Sequence, residues 1–390
     1  MSKAELQWIE EQSSQMLKTL VSWSEVNSGS FNQRGLQEMA ALLQNSFAPL
    51  ADSIELIRLA PFQDINSQGE VVDVEVGEAL LVRKRIDCDK RVLLCGHMDT
   101  VFPESHHFQT CELRDDGLLY GPGVADMKGG LLVMLTALEA FEQAECCRVI
   151  GWDVLIVADE EIGSKASRSL FPSLAKAASF GMLYEPSLPN GEFVGKRKGS
   201  GNFSLVVRGR AAHAGRAFFD GRNAIAYLSK ILVDLYLLNS KNSETTLNLG
   251  LIEGGQALNV VADLAICRFN IRVSTDKDKE LILLQINEVL DRYVDDDYKV
   301  ELHGDFTRPA KEMNCAQNEL FKLLEECCDD LKIPMEVIAT GGCCDGNNLA
   351  ALGLANIDTL GVRGGGIHSD QEFMIVESLV ERSKLSFLLL

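Results

Sequence analysis

This 390-residue sequence predicts an α/β fold: a mostly parallel central sheet flanked by helices, with a smaller α+β unit inserted into it. Three observations predict it. The runs "RVLLC" (91–95), "DVLIVA" (153–158) and "FGMLY" (180–184) are continuously apolar rather than alternating, as suits strands covered on both faces. Segment 200–306 reads β-α-β-β-α-β, the order of a ferredoxin-like antiparallel sandwich. After "TRPAKEMN" (307–314) the αβ alternation resumes. Residues 1–199 and 307–390 are therefore expected to form one catalytic body, and 200–306 an insertion.

Taken in order, helical periodicity places helices at 4–22, 34–49 and 127–144, the last opened by Gly129–Gly130. The three apolar runs interleave with them or follow. In the insertion, "NFSLVVRG" (202–209) is a strand and 223–239 a helix. Two strands follow in "TLNLGLIEGG" and "LAICRFNIRV", then an acidic helix at 276–292 and a strand in "YKVELHG". "ANIDTLGVRGGGIHSD" and a helix at 374–390 close the chain.

Seven acidic or imidazole side chains sit just beyond apolar runs: His97, Asp99, Asp126, Glu160, Glu161, Glu185 and His368. Ligands of open α/β sheets lie at the carboxyl ends of the strands, where these residues fall. Hard oxygen donors and imidazoles gathered there are what a two-metal hydrolytic site requires. His97 and Asp99 are two apart on an extended strand end, so both point the same way and Asp99 can orient the imidazole. Asp126 closes the glycine-rich "YGPGVADMKGG", where a carboxylate can offer an oxygen to each of two cations or cap a helix. The adjacent Glu160 and Glu161 repel unless a cation compensates, which suggests one ligand and one general base. Each residue alone is compatible with a solvated loop. The joint placement points to a dinuclear centre.

Composition bounds the alternatives. Hydrophobic residues at 46% and charged residues at 24% match an ordinary soluble protein. A net charge of −20 argues against nucleic acid or an anionic membrane as partner. No stretch approaches the roughly 20 apolar residues of a membrane helix. Eleven cysteines without a CxxC spacing suggest neither a thiolate zinc site nor a redox motif, and fit a reducing cytoplasm.

The stretches "GHMDTVFP", "GPGVADMKGG", "DEEIGS", "EPS", "RGRAAHAG", "GGQALNVV" and "GGGIHSDQE" resemble the zinc metallopeptidase family that includes glutamate carboxypeptidase, aminoacylase, acetylornithine deacetylase and succinyl-diaminopimelate desuccinylase. They lean toward the glutamate carboxypeptidase branch. The resemblance implies a zinc-peptidase-like fold and two zinc ions (cobalt or manganese being compatible with the donors) bridged by Asp126. One ion would also take His97 and Glu185, the other Glu161 and His368. Glu160 would be the general base, Asp99 the partner of His97, and the peptide after Asp126 cis. It further implies a homodimer formed through the insertion, with His213 reaching the partner's site and Asn259 and Arg272 binding substrate. Two departures stand out: Ala262 where many members have proline, and Cys344 where serine or threonine is common.

Cations flank the motifs at Lys196, Arg197, Lys198, Arg272, Arg308 and Arg363. An arginine beside a cleft suits a carboxylate, and Arg308 joins Asn259 and Arg272 as a substrate-binding candidate. The expected reaction is hydrolysis of an amide in a small peptide or N-acyl-amino acid bearing a free carboxylate. A dipeptidase or aminopeptidase reading a free amine is the alternative. A metal-binding scaffold without activity is a third reading, which the presence of Glu160 disfavours.

Overall fold

A computed structural model describes residues 3–241 and 243–390. Its six-stranded sheet runs Ser53–Ile57, Ala79–Lys84, Gly151–Val157, Arg91–His97, Phe180–Leu183, Asn356–Ile357. The first two junctions are antiparallel and the other three parallel. Every residue of Arg91–His97 and Gly151–Val157 is buried, as their unbroken apolar runs require. The antiparallel strands Ser53–Ile57 and Ala79–Lys84 were not anticipated. The first is only partly buried at the sheet edge, and its short apolar run carries no distinctive period.

The helix Lys128–Phe141 crosses between the two central strands and is buried along nearly its whole length. Its start lies against the end of Phe180–Leu183 so closely that a Cβ on Gly130 would stand 2.0 Å from the Tyr184 carbonyl oxygen. The predicted N-terminal helix is two helices, Lys3–Glu11 and Ser13–Ser24. Gln33–Phe47 is capped by Asn32, whose side chain accepts from the Gly35 amide, and it buries Leu36, Met39, Leu43 and Phe47 on one stripe.

A second, fully antiparallel sheet has the order Thr246–Gly254, Leu264–Val273, Gly199–Arg208, Lys299–Arg308. This is the ferredoxin-like order expected for the insertion. Its helices, Ala224–Tyr236 and Asp276–Asp291, cover one face. Strict alternation makes this possible. Cys267, Phe269 and Ile271 face the helices with Phe203, Leu205 and Val207, while Arg268, Asn270 and Arg272 point to the other face.

A small sheet positions the rest of the site. It pairs Gly364–Gly365, Phe373–Ile375, Leu118–Tyr120 and Glu112–Leu113 in that order. The hairpin between its first two strands carries His368, and Leu118–Tyr120 leads into the loop of Asp126.

Candidate metal centre

Three parallel strands end on the same edge of the central sheet. His97 is the last residue of its strand, Glu160 and Glu161 follow Gly151–Val157, and Glu185 follows Phe180–Leu183. Asp126 stands among them on the turn before the buried helix, in a cis peptide link to Met127. His97 Nε2 lies 3.1 Å from Asp126 Oδ1 and 3.7 Å from Glu185 Oε2. His368 Nε2 lies 3.3 Å from Asp126 Oδ2 and 3.2 Å from Glu161 Oε2. The two oxygens of Asp126 thus face different imidazoles, each of which has a second carboxylate beside it. Donor atoms of His97, Asp126 and Glu161 lie within 4.8 Å of one another, close enough to hold one metal ion.

The electrostatics fit such a group. Burial pushes the Glu161 carboxyl up to about 7, helped by the charge on Asp126, and also raises Glu185. Hydrogen bonds to Asp126 and Glu161 push His368 up to about 11. Burial opposes the charged form of His97, yet contacts with Asp126, Asp99 and Glu185 hold its pKa well above the usual value. Asp126 is held below the carboxylate range by both imidazoles, despite its burial. Among the described residues, no lysine or arginine forms an ion pair with Asp126, Glu161 or Glu185. Three crowded, buried carboxylates that meet imidazoles and, among the described residues, no paired lysine or arginine are the surroundings of a cation site.

The carboxylate of Asp99 accepts from the Ser30 hydroxyl at 2.7 Å and the amides of Glu160 and Glu161 at 3.2 Å each. Its main-chain oxygen, 2.8 Å from His97 Nδ1, is the nearer acceptor for the imidazole; its Oδ1 lies 3.5 Å away. Glu160 is held by Arg308, whose Nη2 donates to Glu160 Oε1 at 2.5 Å and to its carbonyl at 3.0 Å. The Arg308 Nη1 donates to Asp345 Oδ1 at 2.8 Å. Burial raises Glu160 well above the usual value although Arg308 opposes it.

The other candidates fall apart from this cluster. His213 and Asn259 are exposed on paired loops of the inserted sheet, where the Ala214 amide donates to the Asn259 carbonyl at 3.0 Å. Among the described residues, no hydrogen bond or ion pair joins either to the metal-ligand candidates. Arg272 donates to Asn270 Oδ1 at 2.9 Å and to Cys343 Sγ at 3.0 Å. Arg197 forms a bidentate pair with Asp358, and Arg363 meets Glu381 and the Pro189 carbonyl.

Sequence reasoning gave no role to Glu372. Buried at 1% exposure, it accepts from the Gly123 amide at 3.0 Å, Ala125 at 2.9 Å and Asp126 at 3.0 Å. It therefore staples the turn that presents Asp126. Burial pushes its carboxyl up to about 7 against the pull of those amides. Its signal was present as the last residue of "GGGIHSDQE". Ser30 and Asp345 offered none.

An α/β sheet with this cluster at the carboxyl ends of its strands defines a metal-dependent hydrolase. Residues 93–390 match peptidase family M20/M25/M40, and the chain belongs to that family. It is 24% identical over 373 residues to carboxypeptidase G2 of Pseudomonas sp. (strain RS-16), covering 94% of this chain and 86% of that one. It is 30% identical over 223 residues to the succinyl-diaminopimelate desuccinylase of Corynebacterium glutamicum, covering 54% and 58%. An M20 family metallo-carboxypeptidase from Sulfolobus solfataricus shares the fold, with a TM-score of 0.75 at 17% identity over 96% of this chain and 98% of that one. Among the described residues, no helix is long and apolar enough to cross a membrane.

Proposed function

We propose that this chain is a dinuclear zinc amidohydrolase of the carboxypeptidase or N-acyl-amino-acid deacylase type, acting on small substrates with a free carboxylate. The observation that carries the reading is the split of Asp126, with one oxygen toward His97 and the other toward His368. Asp126 would bridge two ions, His97 and Glu185 completing one and Glu161 and His368 the other. Two ions held there would lower the pKa of a bound water toward neutral and polarise the scissile carbonyl. Glu160 takes the proton of the attacking water and returns it to the leaving nitrogen as the C–N bond breaks. Arg308 holds that carboxylate in place. Arg308 is itself committed to Glu160 and Asp345, so Arg272, which forms no ion pair among the described residues, is the guanidinium left for a substrate carboxylate. The similarity to carboxypeptidase G2, over 94% of this chain and 86% of that one, supports the carboxypeptidase side of the reading.

Residues 200–306 serve as a dimerisation domain in this proposal, and His213 acts in the partner's site. Phe219, 90% exposed, and Leu258, fully exposed, lie between its strands, and the edge strand Thr246–Gly254 exposes Ile252; this apolar surface supports association. Cys88, Cys95, Cys111, Cys267, Cys315, Cys327, Cys328, Cys343 and Cys344 are free thiols, which supports a cytoplasmic setting. The test is Glu160→Gln in zinc-loaded protein assayed on N-acyl-amino acids and peptides. Turnover is expected to fall at least a hundredfold with two metal ions per chain retained. Undiminished turnover, or one ion per chain at saturation, overturns the reading.

A further inference from the structure

The inserted sheet turns a polar face toward the metal-bearing body. Cross-strand register aligns it in rows: Asn248, Asn270, Asn202 and Asp305 in one, and Leu251, Arg268, Ser204 and His303 in the next. A cavity of about 830 Å³ lies over these two rows. One end is closed where Ile65, on the hairpin Phe62–Ile65/Val71–Val74, buries Val206 and Ile266. The other end reaches Phe31, Ile162 and Thr307, next in the chain to Ser30, Glu161 and Arg308. The cavity therefore runs from beside the metal-ligand cluster along the sheet. None of the catalytic or ligand candidates lines it.

We infer that this cavity binds an extended peptide segment on the acyl side of the scissile bond, so that the preferred substrates are oligopeptides rather than dipeptides or simple N-acyl-amino acids. The inference rests on the hydrolase reading and deepens it. A free carboxylate ends the leaving residue, so a substrate can grow only on the acyl side. The lining suits main-chain amides. Among the described residues, the side chains of Asn248, Ser204 and His303 make no hydrogen bond, and Asn202 uses only its Oδ1, accepting from Asn270. The charges largely cancel, since Lys165 pairs with Asp64 and Arg268 with Glu253. Phe31, 68% exposed, adds apolar contact at the inner end. Four strands spaced about 4.8 Å apart make a row roughly 14 Å long, the span of about four extended residues. The volume is that of a ligand site for a molecule of this size.

The experiment measures kcat/KM for di-, tri- and tetrapeptides with one C-terminal residue, using zinc-loaded wild type and Asn248→Trp, with Asn202→Ala as a milder variant. Two hydrogen bonds of ordinary net strength give an expected gain of about tenfold from dipeptide to tetrapeptide in wild type. Asn248→Trp fills the cavity, and the tetrapeptide-to-dipeptide ratio is expected to fall to about one. Asn202→Ala is expected to lower it by about threefold. A wild-type ratio of one, or equal losses on short and long substrates in both variants, overturns the inference while leaving the hydrolase intact. If neither peptides nor N-acyl-amino acids are hydrolysed, the hydrolase reading fails instead. Binding of the same peptides to zinc-loaded Glu160→Gln then decides the cavity: tetrapeptide affinity must exceed dipeptide affinity and lose that excess with Asn248→Trp.

Discussion

Replacing Glu372 by Gln tests whether the turn of Asp126 is held from a distance. In the native site, Oε1 accepts from the Ala125 and Asp126 amides and Oε2 from that of Gly123. Glutamine keeps one acceptor oxygen and sets an NH2 against the Gly123 N–H. One charge-assisted bond is lost and the other two weaken to neutral ones. A buried hydrogen bond to a charged group contributes about 1.5–3 kcal/mol. If that energy serves to hold Asp126 in place, zinc affinity falls roughly tenfold to a hundredfold. Competition against a chromophoric chelator reads the affinity, and metal content after gel filtration reads occupancy. Urea unfolding separates a local effect from a global one. Zinc affinity within twofold of wild type, in a variant with normal stability, would refute the reasoning.

Three further outcomes follow from the same geometry. Asp358 is fully buried, yet its pKa is held down at about 2 from 3.8 by Arg197 and Lys311. A depressed carboxyl contributes stability present above pH 3.8 and lost as pH falls through the folded value, here about 2 kcal/mol. Asp358→Asn should therefore show a smaller loss of urea midpoint between pH 6 and pH 3 than wild type, on top of a lower starting stability; identical pH slopes count against the pairing. Gly130→Ala puts a methyl 2.0 Å from the Tyr184 carbonyl oxygen, so the helix start must shift, at a cost of about 1–3 kcal/mol, and zinc binding should weaken; stability within 0.5 kcal/mol of wild type, on the scale of a surface change, contradicts this. Removing metal with a chelator should lower the thermal midpoint by several degrees, because a ligand at 1,000 times its Kd stabilises by about 4 kcal/mol. The midpoint should recover when zinc is added back; indifference to chelation speaks against a bound metal.

The strand-end residues were legible because their signal is local. A fully buried strand is a continuous apolar run, and the residue after it lies at the sheet's carboxyl edge whatever the rest of the chain does. His97, Glu160, Glu161 and Glu185 could be placed in this way, and Asp126 by its glycines. The inserted sheet was readable for the same reason, since alternation over ten residues separates its helix-facing side from the polar one. The strands Ser53–Ile57, at the sheet edge, and Ala79–Lys84, beside it, were not, because segments of five or six residues carry little periodic signal.

Other features depend on pairs far apart in the chain. Composition and period leave the fate of each arginine open. Only the folded arrangement commits Arg308 to Glu160 and Asp345, and Arg197 to Asp358. Glu372 lies 246 residues from the Asp126 amide it holds. The cavity exists only because the outer face of one sheet meets a hairpin of the other body. By itself, the sequence determined which donors stand at strand ends, since backbone periodicity sets where a side chain points. The tertiary structure decided which charges meet and what space is left between them, because buried charges and cavities are defined by neighbours that no local pattern encodes.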